Sequence, residues 1–181
     1  MKNIVESVQR AIPVYQDWPK PGIQYKNTVE LCRDPTAFAD SIKWFSNLAT
    51  HLQVEDIFAA DARGFIWGSA TAHDCRLPLH VVRKPGKVPG PVWSQEYDLE
   101  YGTDRLELMQ SVPQGNRRVM VIDDVLATGG TAHAICKMLN QRLGIAMSNI
   151  HVAVLVNLQF LGGEKLLQDN FVFVKGLVNE Q

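Results

Sequence analysis

Along this chain, stretches whose apolar residues recur every three or four positions alternate with short runs that are apolar throughout. Asp34 followed by Pro35 has the form of a helix N-cap with proline at the first helical position, and Phe38, Ile42, Phe45, Ala49 and Leu52 then follow at helical spacing. This predicts an amphipathic helix against a core. Residues 56–60 read as a buried strand, 64–75 as a helix and 79–83 as a second strand. A second unit repeats the pattern: strand 118–122, a polar and glycine-rich turn 123–130, helix 131–143 ended by Gly144, and strand 150–156. Continuous apolar strands alternating with helices imply an α/β fold with a parallel sheet. Ligands of such sheets bind at the carboxyl ends of the strands, so the loops after Ala60 and Ile122 are the places to look.

Between these units lies a long segment, 84–102, punctuated by Pro85, Gly86, Pro89, Gly90 and Pro91. Loops of this length within compact folds are usually lids or binding loops, and a lid is expected here. Residues 103–109 alternate enough to form a strand returning to the body, and 171–174 suit a final edge strand.

Composition narrows the class. The 181 residues are 46% hydrophobic and 20% charged, with no repeat and no Ser/Gly linker, which predicts a single domain over 1–181. Lys and Arg number 18 against 19 Asp and Glu, a net charge of −1, so a dedicated nucleic-acid binder is not expected. Cys32, Cys75 and Cys136 show no metal-ligand spacing and read as reduced thiols, and the five histidines show none either. No apolar run is long enough to span a membrane, and a cytoplasmic location is expected.

The chemistry concentrates in VMVIDDVLATGGTAHA, residues 119–134. Gly129 and Gly130 let the backbone bend so that successive N–H groups face inward, Thr128 and Thr131 add hydroxyls, and the helix N-terminus adds partial positive charge. Together with Ala127 these residues form a candidate phosphate cradle. Asp123 and Asp124 at the strand exit are placed to hold sugar hydroxyls or a hydrated Mg²⁺ bridging to phosphates. A TGGT sequence alone reads as a tight turn with a threonine cap; the preceding strand and acidic pair favour a site. Arg63, at the exit of the first strand, and Arg83, Lys84 and Lys87, at the start of the lid, supply cations for an anionic ligand.

With its strand, acidic pair and TGGT loop, the chain resembles the type I phosphoribosyltransferases. DWPKPGI (17–23), ARGF (62–65), RKPGK (83–87), LEYGTD (99–104), DDVLATGGT (123–131) and LGGEKL (161–166) resemble the adenine phosphoribosyltransferases in order and spacing, over nearly the whole chain. The resemblance implies a central, mainly parallel sheet flanked by helices, with a flexible lid loop. It implies a Mg²⁺-dependent homodimer of purine salvage that converts adenine and 5-phosphoribosyl-1-pyrophosphate to AMP and pyrophosphate. It assigns pyrophosphate contacts to Arg63, Arg83, Lys84 and Lys87, and catalytic work over the site to Glu100 and Tyr101, with Glu100 managing the purine proton. Where the family carries an aromatic followed by arginine and aspartate, this chain has Gln24-Tyr25-Lys26-Asn27. Base contacts are expected from Gln24, Tyr25 and Lys26, with Val125 as the opposing apolar surface. Lys26 leaves a 6-oxopurine phosphoribosyltransferase as an alternative. A regulator sensing phosphoribosyl pyrophosphate is disfavoured by the short stretch before Pro19 and by Glu100 and Tyr101, which a sensor does not need.

Overall fold

The computed structural model describes residues 2–98 and 102–181. In chain order it contains α1 (Lys2–Ala11), β1 (Val14–Gln16), β2 (Gln24–Lys26), a 3-10 turn (Thr28–Arg33), α2 (Pro35–His51), β3 (Asp56–Ala60), α3 (Gly64–Cys75), β4 (Leu79–Val82), β5 (Val92–Asp98) and β6 (Thr103–Met109). It continues with β7 (Val119–Leu126), α4 (Gly130–Leu143), β8 (Ile150–Leu158), α5 (Gly163–Gln168) and β9 (Phe173–Glu180). The expected cap of α2 is in place, because the Asp34 carboxylate accepts the N–H groups of Thr36 and Ala37, both at 3.0 Å.

The central sheet has the order β4-β3-β7-β8-β9 and every pairing in it is parallel. Alternation along each strand divides the core. Val119 and Val121 of β7 join Ile135, Met138 and Leu139 of α4, with Leu106 and Leu108 of β6, while Met120 and Ile122 face Val8, Phe45 and Trp67 of α1, α2 and α3. From β3 the chain steps outward to β4, and the later strands build on the other side from β7. The strand order therefore reverses between β3 and β7, and the crevice beyond their carboxyl ends is where an open α/β sheet accepts a ligand.

Three boundaries differ from the sequence reading, the first two because main-chain pairing persists beyond the local apolar pattern and the third because a turn precedes the strand. The stretch expected as a turn from residue 123 remains strand to Leu126, since Asp123, Val125 and Leu126 pair with Val154, Val156 and Asn157 of β8. Both aspartates thus lie within a strand rather than beyond it. Residues 92–98, part of the segment expected as a lid, form a strand that pairs antiparallel with β6 along its whole length. This hairpin is tied to the sheet edge by an Arg83–Glu107 bridge, with N–O distances of 2.9 and 2.8 Å. The last strand begins at Phe173 rather than 171, its partners on β8 running from His151 to Leu158, and Phe171 turns the chain with a φ of 62°. α1 and the β1–β2 hairpin complete the fold. Ile4 and Val8 of α1, with Ile12 just after it, pack on the α2–α3 face.

Candidate active site

A cavity of about 840 Å³ opens at the switch point between β3 and β7. Its floor is the turn from β7 into α4. Gly129 caps α4 with a φ of 84°, a left-handed conformation that L side chains resist, and it leaves the first N–H groups of the helix directed outward. The turn is braced from behind by a second backbone turn. Gly163 N donates to Ala127 O at 3.1 Å, and a Cβ on Gly163 would collide with that carbonyl and lie 2.7 Å from Gly129 N. The bracing turn is itself anchored by Glu164, whose carboxylate accepts amide donors from Asn157 (2.9 Å), Gln159 (2.7 Å) and Gln168 (3.1 Å). A rigid nest of N–H groups at a helix N-terminus favours a phosphate.

The acidic pair divides its labour because strand neighbours point to opposite faces. The Asp124 side chain is 2% exposed and its Oδ2 accepts both Arg63 Nε, at 2.6 Å, and Thr28 Oγ1, at 2.5 Å. Asp123 Oδ1 accepts the Asp124 N–H at 2.8 Å. Burial, and then the neighbouring Asp124 charge, hold the Asp123 carboxyl well above the usual carboxylate range.

The basic residues are organised by buried acids. Asp61, with its side chain 5% exposed, faces Arg83 Nε at 3.4 Å, the Lys84 N–H at 3.3 Å and Lys87 Nζ at 3.8 Å. Glu107 accepts the Gly86 N–H at 2.8 Å, which fixes the start of the loop. Lys84 Nζ bonds the Asp104 carboxylate and the Tyr97 hydroxyl, the latter at 3.0 Å, and Thr131 Oγ1 reaches the same hydroxyl at 3.4 Å. Burial works against the Lys84 charge, but the bonds to Asp104 and Tyr97 outweigh it and hold its pKa above the ordinary lysine value. The hairpin is thereby pinned to the cradle.

Of the residues singled out in the sequence, Arg63, Lys84, Asp123, Asp124, Val125 and 127–131 line this one cavity. Arg83 and Lys87 sit behind it on Asp61, and Arg83 lies over the Phe65 ring at 5.7 Å. Tyr25 approaches through its hydroxyl, 3.4 Å from Arg63 Nη1, and packs on Trp18 with ring centroids 4.3 Å apart. Gln24 is on β2 beside it, exposed. Lys26 turns the other way, its Nζ 2.5 Å from Glu180 Oε1 at a separate cavity of about 140 Å³. Glu100 and Tyr101 lie outside the described residues. Asp61, Tyr97 and Thr28 carry no motif and were not expected at the site; the only sequence sign of them was Tyr97's place in the lid.

No group of three or more His, Cys, Asp or Glu side chains among the described residues is arranged to hold a metal. With one oxygen of Asp124 committed to Arg63 and Thr28, the donor set suits a hydrated Mg²⁺ held mostly by ligand oxygens, with Asp123 as a cavity-lining carboxylate not paired to a cation.

A nest of N–H groups, an acidic pair and a cation cluster at the switch point of a parallel sheet are features suited to a protein that binds a phosphorylated sugar. No protein-family model matches the chain. It is 38% identical over 174 residues to the adenine phosphoribosyltransferase of Pectobacterium atrosepticum, covering 96% of this chain and 92% of that relative. The crystal structure of adenine phosphoribosyltransferase from Thermoanaerobacter pseudethanolicus superposes with a TM-score of 0.88 at 35% identity, covering 97% of this chain and 99% of that one. A Trypanosoma brucei adenine phosphoribosyl transferase in complex with AMP, pyrophosphate and ribose-5-phosphate superposes with a TM-score of 0.85 at 25% identity, covering 98% and 79%. The chain belongs to the adenine phosphoribosyltransferase family.

Two outcomes follow from this geometry. Gly163→Ala forces the two turns apart, so it should cost about 1–3 kcal/mol of stability and weaken calorimetrically measured binding of ribose 5-phosphate by about tenfold or more. Unchanged binding would show that the brace is dispensable. Asp123 holds its proton to higher pH in the folded than in the unfolded chain, so its contribution to stability is present below the ordinary carboxylate range and is lost as pH rises through its raised value. Asp123→Asn should therefore raise Tm by about 2–4 °C at pH 8, the gap closing towards pH 4, in thermal scans across that range. A Tm difference independent of pH contradicts the assignment.

Proposed function

We propose that this chain transfers the 5-phosphoribosyl group of 5-phosphoribosyl-1-pyrophosphate to adenine, releasing AMP and pyrophosphate in purine salvage. The observation that carries the reading is the nest at 127–131 sharing one cavity with Arg63, Lys84 and Asp123. In this reading the 5-phosphate sits on the nest and the ribose lies along β7 above Asp123. The pyrophosphate faces Arg63 and Lys84, with Arg83 and Lys87 lending charge from behind. Substitution breaks the bond from C1 to the pyrophosphate oxygen and forms one to N9 of the base, through a state with positive charge on the ribose. The chain's cations stabilise the departing pyrophosphate, Asp123 hydrogen-bonds the ribose hydroxyls, and the pinned hairpin keeps water out. Asp123 and substrate oxygens would hold a Mg²⁺, which would supply further neutralisation of the pyrophosphate. By family resemblance Glu100 takes the proton that leaves N9, and Tyr101 covers the pyrophosphate.

The base lies between Tyr25 and Val125. The 6-oxopurine alternative needs the Lys26 ammonium in the cavity, and its pairing with Glu180 counts against that. A backbone reader of the adenine amino edge tolerates the exchange of side chains at 24 and 26. Exposed Trp18, Phe160 and Phe171 supply apolar surface of the kind a homodimer covers. No helix among the described residues is long and apolar enough to cross a membrane, and the free thiols suit the cytoplasm.

Adenine, hypoxanthine, guanine and xanthine, each offered with phosphoribosyl pyrophosphate and Mg²⁺, should give a kcat/KM for adenine about ten- to hundredfold above the others, with activity lost in chelator and restored by Mg²⁺. A preference for hypoxanthine overturns the base assignment. Absence of turnover with every base overturns the reaction.

A further inference from the structure

Thr28 is fully buried at the start of the 3-10 turn that follows the Gln24–Lys26 strand. Its hydroxyl spans 96 positions of sequence to donate to Asp124 Oδ2 at 2.5 Å. The same oxygen accepts Arg63 Nε at 2.6 Å, and the Arg63 side chain, 45% exposed, continues from there into the cavity, with Nη1 3.4 Å from the Tyr25 hydroxyl. Asp124 itself is 2% exposed, so both donors meet in a water-poor setting where charge-assisted bonds are strong. A valine would fill the volume of this threonine; what valine lacks is the donor.

We propose that Thr28 is a positioning residue for Arg63, acting through Asp124. A carboxylate held by one donor can turn about its Cβ–Cγ bond and carry a bound guanidinium with it. The Thr28 hydroxyl fixes Oδ2 from a second direction. Arg63 then presents its remaining N–H groups to the cavity from a fixed base, as an arginine clamp on an anion requires. Because Thr28 follows the base strand by two residues, a shift of Tyr25 on base binding reaches Arg63 by this route as well as through the direct contact. The inference rests on the reading of Arg63 as a pyrophosphate ligand.

The test is calorimetric titration of phosphoribosyl pyrophosphate, which needs no base, combined with steady-state kinetics. Thr28→Val should raise Kd and KM for phosphoribosyl pyrophosphate about tenfold while the KM for adenine stays within about twofold; Thr28→Ser should restore the wild-type values. In an Arg63→Ala background Thr28→Val should add less than about twofold, because its effect passes through the missing guanidinium. An unchanged Kd in Thr28→Val, or a loss that adds in full to that of Arg63→Ala, overturns the proposal. If valine prevents folding, Thr28→Ala takes its place with the same two outcomes. A wild type that binds phosphoribosyl pyrophosphate but turns over no purine refutes the proposed reaction, while the Thr28 comparison still decides on its own.

Discussion

A turn that is to hold a phosphate through its N–H groups must leave those groups without internal partners and still be rigid. This protein meets both demands by packing backbone against backbone. Ala127 and Gly129 touch the turn at Gly163 so closely that neither glycine has room for a Cβ. The hydrogen bond from Gly163 N uses a carbonyl of the cradle and none of its donors. Everything behind the contact serves it: Glu164 gathers three amide side chains from β8, the turn after β8 and α5, which fixes the bracing turn without adding charge to the cavity. The position of α4 follows, and with it the core face that α4 covers.

The cations are arranged by the same logic with charge in place of sterics. Four basic side chains near one cavity repel one another, and a bound pyrophosphate would be their natural partner. Buried Asp61 and Asp124 keep that cluster assembled. Asp124 takes the near side of Arg63 in the cavity wall and leaves its far side towards the cavity. Asp61 instead fixes the loop that begins at Arg83, whose Nη1 donates onward to the Lys87 carbonyl at 3.2 Å. The two strand-end acids come from β7 and from the residue after β3, the pair of strands between which the sheet order reverses.

Much of this was legible in the sequence. The cap at Asp34, strand 56–60, helix 64–75 and the turn into α4 followed from local pattern, because each is decided by residues a few positions apart. The acidic pair and TGGT pointed, for the same reason, to the end of β7 where the cavity opens. What escaped depends on distant partners. Asp123 and Asp124 read as turn because they are polar, but their backbone pairing with β8 keeps them in the sheet. Residues 92–98 read as loop because five prolines and glycines precede them, yet β6 supplies a complete strand partner. Asp61, Thr28 and the Lys26–Glu180 pair gain their roles from contacts across 22 to 154 positions, for which no local pattern exists.

The central claim is that the Gly129–Gly163 contact holds a set of N–H groups ready for phosphate. Backbone amide resonances followed by NMR during titration with AMP test it most directly. The account predicts that the amides of residues 127–131 shift most, with smaller changes at 62–64. Unmoved cradle amides, with the largest shifts instead on the loop at 84–90 or around the Lys26–Glu180 cavity, would contradict it.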